Sequence, residues 1–123
     1  MSGMKYYREL VVWQKSMRLV DETYQLIRLL PKEEQYALCA QMRRAVVSIP
    51  SNIAEGNGRN TTSEYIHFLY ISRGSLYELE TQISICISQT YFSRETAGKA
   101  IALCKEIGKM LNSVIAIMIE QNN

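Results

Sequence analysis

The strongest constraint on this chain is an apolar spacing of three and four residues that recurs along nearly its whole length. That interval follows the turn of an α-helix, about 3.6 residues, and not the two-residue period of a strand. In the first segment Leu10, Trp13, Met17, Val20, Tyr24 and Ile27 carry it, and Pro31 closes the run because it cannot extend a helical ladder. In the second, Leu38, Met42, Ala45, Ile49 and Ile53 carry it, with Cys39 and Val46 alongside. Pro50 lies inside that pattern, so the spacing predicts either a kinked continuous helix or one that breaks and restarts within a turn. Gly56-Asn57-Gly58-Arg59-Asn60 is the clearest loop, and Thr61-Thr62-Ser63-Glu64 matches a capping box that opens a third helix. That helix has the seam Tyr65, Leu69, Ser72, Leu76, Leu79, Ile83 and Cys86, thinned in the middle by Ser72, Gly74 and Ser75. Ser93 is read as an N-cap for a fourth helix with Ala97, Ile101, Cys104, Gly108, Leu111, Ile115 and Met118.

Short connections between long helices make sequence neighbours antiparallel. The spacing therefore predicts an all-α fold, an antiparallel up-down-up-down four-helix bundle. It forms one domain over residues 1–123, with helices at about 8–30, 32–56, 62–89 and 94–120. A length of 123 residues suits one domain, and 47% hydrophobic residues with two prolines exclude a disordered or collagen-like chain. Cys39, Cys86 and Cys104 are odd in number and embedded in apolar patterns, against a disulfide framework. Met1 to Arg8 contains no apolar leader core, and no run reaches the length of a membrane span. A soluble, cytoplasmic protein with no membrane contact is the expectation.

The fourth helix carries more apolar surface than a bundle seam uses. Leu103, Ile107, Met110, Val114 and Ile117 form a second stripe beside the first, with a weaker counterpart on the third helix in Ile66, Tyr70, Tyr77 and Ile87. Two readings follow: a wide core stripe on a helix packed between two neighbours, or a self-association surface. Closed homo-oligomers are the usual outcome of the second.

Polar residues are also patterned. Arg44, Ser48, Asn52 and Glu55 share one face of the second helix, and Arg59 follows in the loop. On the third helix, Arg73, Tyr77, Glu80 and Ser84 share one face, and Ser75, Glu78 and Gln82 another. These positions suit a solvated face, a ligand site, or a network in which Arg44 or Arg73 forks onto Glu55, Glu78 or Glu80.

The residue types needed for most catalytic chemistry are missing from the pattern. His67 is the only histidine, the cysteines are scattered, and Glu78 and Glu80 are two apart and point to different faces. No enzyme activity, metal or cofactor is expected. Charge is uneven: residues 1–60 hold nine Lys/Arg against six Asp/Glu, a surplus of +3, while residues 61–123 hold five against six, or −1. Arg8, Lys15, Arg18, Arg43, Arg44 and Arg59 would form a basic strip if the first two helices lie side by side, and a ring would multiply it into a phosphate-binding surface.

Three strings carry a family resemblance. They are Leu10-Val11-Val12-Trp13-Gln14-Lys15, the stretch Arg43-Arg44-Ala45-Val46-Val47-Ser48-Ile49-Pro50-Ser51-Asn52-Ile53-Ala54-Glu55-Gly56, and Gly74-Ser75-Leu76-Tyr77-Glu78-Leu79-Glu80-Thr81-Gln82. Over roughly residues 8 to 118 the chain resembles the four-helix-bundle proteins encoded in intervening sequences of bacterial 23S ribosomal RNA genes, often labelled ribosomal proteins. The fold is similar to that of the accessory variability determinant of diversity-generating retroelements. The resemblance implies a homopentameric ring with no catalytic activity and no settled cellular role. The retroelement relatives bind nucleic acid and reverse transcriptase through a strongly basic surface, from which a chain of net charge +2 departs. Arg44, Ser48, Asn52, Glu55, Glu78, Glu80 and Gln82 match the strings, with Arg59 just beyond, and carry over as motif positions only. Together these readings predict a non-enzymatic homo-oligomer that binds RNA or a ribonucleoprotein partner; the alternative is a protein-binding adaptor without nucleic-acid contact.

Overall fold

The computed structural model describes residues 6–122; part of the stretch read for a leader, residues 1–5, lies outside them. Four helices follow one another: α1 (Val11–Ile27), α2 (Leu38–Asn57), α3 (Thr62–Ser88) and α4 (Gly98–Asn122). Short 3-10 turns, Tyr7–Glu9 and Lys32–Glu34, precede α1 and α2, and no strand occurs among the described residues. α1 packs on α2 and α4, and α3 packs on the same two helices, which makes a four-helix bundle with α1 and α3 on one diagonal.

Local chemistry explains most of the boundaries. The Thr61 hydroxyl accepts from the Glu64 N–H at 3.1 Å and starts α3. Ser93 accepts from the Thr96 N–H at 3.0 Å, but it caps a turn that precedes the regular part of α4, which begins at Gly98. α1 stops at Ile27, short of the expected 30. Leu29 and Leu30 donate to Leu26 and Ile27 in a tightened turn, and the residue before Pro31 is disfavoured in a helix. α2 runs as one continuous helix through Pro50 and does not break and restart there.

The seams of α2 and α3 are buried as their spacing predicts, from Leu38 to Ile53 and from Tyr65 to Cys86. α1 differs. Its core positions are Val12, Ser16, Leu19, Thr23, Leu26 and Ile27, whereas Met17 is 41% exposed and Leu10, Trp13, Val20 and Tyr24 are only half-buried. Two small polar residues occupy the true seam. Ser16 settles there by donating to the Val12 carbonyl at 2.7 Å, so the seam tolerates a hydroxyl that apolar counting rejects. The correction leaves a largely apolar stripe on the outside of α1.

Close helix contacts fall at specific small residues. A Cβ on Gly56 would lie 2.7 Å from the Phe68 Cβ and 2.9 Å from Tyr65, so glycine is needed for α2 and α3 to meet there. On α3, Ser72 donates to the Ile49 carbonyl of α2 at 2.9 Å. Gly74, by contrast, faces open space.

Candidate interaction surface

The outer stripe of α1 borders two grooves. One, of about 330 Å³, lies against α2 and is lined by Tyr7, Trp13, Met17, Val20, Val47 and Pro50. The other, of about 340 Å³, lies against α4 and is lined by Leu10, Val11, Lys109, Met110, Ser113 and Val114. Val11 is 52% exposed and Val47 41%, so both grooves present apolar side chains to solvent.

The stripe expected on α4 divides between core and surface. Leu103 and Ile107 are buried in the subunit's own core, because α4 is wedged between α1 and α3 and needs a wide apolar band. They are not interface residues. Met110 and Val114 line the second groove, and Ile117, 51% exposed, continues it by one turn. On α3, Tyr70 and Tyr77 are exposed, while Ile66 and Ile87 are half-buried.

Of the readings open for the polar positions, part of the network forms, without the arginine forks from Arg44 or Arg73. Asn52 donates to both the carbonyl and the hydroxyl of Ser48 at 2.8 Å, and Ser75 donates to the same hydroxyl at 2.8 Å. Arg44 is exposed and makes no ion pair among the described residues. Arg73 turns away to α4, donating to Asn112 at 3.0 Å with its guanidinium 5.0 Å from the Tyr70 ring centre. Glu55 pairs with Arg59 at 3.8 Å, and Arg59 also lies 4.8 Å over the Phe68 ring, pinning the α2–α3 loop. Glu78 is exposed, Glu80 half-buried, and Gln82 buried with its Oε1 lacking a partner among the described residues.

The basic residues do not converge into one free strip. Lys15 pairs with Glu106 of α4, and its ammonium holds the Glu106 carboxyl below the usual carboxylate range. Arg8 is stacked 5.5 Å from the Tyr7 ring centre and 5.4 Å from that of Trp13, and contact with the Tyr6 hydroxyl raises its pKa further. Arg18 and Arg43 are exposed without ion pairs among the described residues.

Burial pushes the Cys86 thiol up to about 11 and the Cys104 thiol up to about 12, so both stay protonated at neutral pH. Among the described residues no three His, Cys, Asp or Glu side chains group as metal ligands, and no helix is long and apolar enough to cross a membrane.

Spacing alone does not single out the groove residues Val11 and Val47 or the Asn112 partner of Arg73. The three-four spacing puts Trp13, Met17 and Val20 on the seam, where the structure leaves Met17 exposed and the other two half-buried. The available signal was that α1 carries two candidate stripes, the more apolar one lying outside.

No curated protein matches the sequence. The fold is similar to the 1.70 Å crystal structure of a protein of unknown function from the S23 ribosomal protein family of Bacteroides thetaiotaomicron VPI-5482. Its TM-score is 0.79 at 26% identity, over 85% of this chain and 98% of that one. The family model described as 23S rRNA-intervening sequence protein matches residues 8–113, a span that contains all three motif strings, and the chain belongs to that family.

Proposed function

We propose that the protein is a non-enzymatic, self-assembling four-helix bundle, a homo-oligomer whose subunits meet through the grooves beside α1. The observation that carries this reading is the pair of apolar grooves, of about 330 and 340 Å³, on a helix whose seam residues are already buried elsewhere. Two different apolar surfaces on one subunit suit head-to-tail contacts, which form a ring where the rotation between subunits closes. A ring of five is the form the family resemblance implies. Sedimentation at micromolar concentration tests it: a mass several times 14.2 kDa is expected, and a monomer overturns the reading. Met17→Lys and Met110→Lys should each lower that mass while helical circular dichroism is kept.

RNA contact is a second reading, favoured by Arg18, Arg43 and Arg44, which are exposed and unpaired among the described residues. Symmetry would repeat these charges around a ring, and phosphate binding would then weaken steeply with added salt. Absence of RNA binding at low salt leaves the protein-only adaptor.

A further inference from the structure

Where α3 ends and α4 begins, a cleft of about 180 Å³ opens on the opposite side of the bundle from α1 and α2's shared groove. Ile83 and Ile87 of α3 and Ile101 and Cys104 of α4 supply its apolar part, and Ser84 of α3 adds a hydroxyl to a lining that is as polar as it is apolar. Glu80 of α3 and Arg94 of the connecting turn bring one charge of each sign. The two do not satisfy each other: the ion pairs among the described residues are Lys15–Glu106 and Arg59–Glu55. Glu80 is half-buried and has no ion-pair partner among the described residues. Its charge is felt inside the cleft, since it adds to the burial that raises the Cys104 thiol. Arg94 is exposed, with a planar fork suited to a carboxylate. The volume is comparable to the roughly 150 Å³ apolar cavity that accepts a benzene-sized molecule.

We propose that this cleft binds a small aliphatic zwitterion of the branched-chain α-amino acid class. The ammonium faces Glu80, the carboxylate faces Arg94, and the hydrocarbon lies against Ile83, Ile87 and Ile101. A simple anion would be repelled by Glu80 and a simple cation by Arg94, whereas a purely apolar molecule would leave both charges without a partner. The site is independent of the self-assembly reading, because none of its residues lines a groove beside α1.

Calorimetric titration of the full chain with L-leucine tests the site. Saturable binding is expected, with isoamylamine and 4-methylpentanoate, which each lack one charge, binding roughly tenfold more weakly or worse. Glu80→Gln and Arg94→Ala should each weaken leucine by a similar factor with unchanged helical circular dichroism. Ile101→Phe should block the cleft. No saturable heat at millimolar leucine, or leucine binding indifferent to both Glu80→Gln and Arg94→Ala, overturns the proposal, as does equal binding of either singly charged analogue.

Discussion

The Ser75 hydroxyl of α3 donates to the Ser48 hydroxyl of α2 at 2.8 Å, and Asn52 reaches the same oxygen from one turn away. One hydroxyl thus gathers two donors from two helices. Ser48→Ala leaves Asn52 its carbonyl acceptor but strands Ser75, and should cost about 1 kcal/mol in urea unfolding. Combined with Ser75→Ala, the loss should be less than additive, since both changes remove the same bond.

Two glycines should respond oppositely to alanine. At Gly56 the new methyl meets the Phe68 Cβ at 2.7 Å, so Gly56→Ala should destabilise by about 1–3 kcal/mol. At Gly74 nothing lies within 4 Å, and Gly74→Ala should stabilise by roughly 0.5–1 kcal/mol through helix propensity. Thermal unfolding of the two variants checks both signs.

Ile107 and Ile117 separate core from surface on one helix. Ile107 is fully buried, and Ile107→Ala should cost about 2–5 kcal/mol. Ile117 is 51% exposed, so Ile117→Ala should leave subunit stability within about 0.5 kcal/mol and register only in sedimentation.

Glu106 predicts a pH dependence. Its carboxyl titrates below the usual range when folded because Lys15 bonds to it. The folded state therefore binds fewer protons, and the contribution is present above the ordinary glutamate range, about pH 4.3, and lost as pH falls through the lowered value. Wild type should unfold at higher urea than Glu106→Gln at pH 7, with the gap closing as the solution is acidified past that range.

Bundle architecture was legible because α2 and α3 place strong apolar residues at nearly every seam position. α1 was not, since Ser16 and Thr23 sit in the core while Met17 is exposed and Trp13 only half-buried. Periodicity ranks stripes by apolar content, and here the ranking inverts. On α4 the second stripe was visible, but its division into buried Leu103 and Ile107 and groove-lining Met110 depends on how neighbouring helices tilt against it, which spacing does not encode. Spacing marks Ser48, Asn52 and Ser75 as patterned polar positions, but which hydroxyl meets which across α2 and α3 depends on helix register, and the bridge is Ser75 to Ser48.

The hydroxyls of Ser16 and Thr23 at the centre of α1 give this shortest helix the least greasy anchor of the four, and that of Thr23 has no partner among the described residues. An isolated subunit should therefore open at α1 first, exchanging its amide hydrogens sooner than α2 or α3. Both grooves run along that same helix. Another copy of the chain seated in them closes the most readily frayed part of the bundle, so association and folding become linked by mass action and the melting temperature climbs with protein concentration.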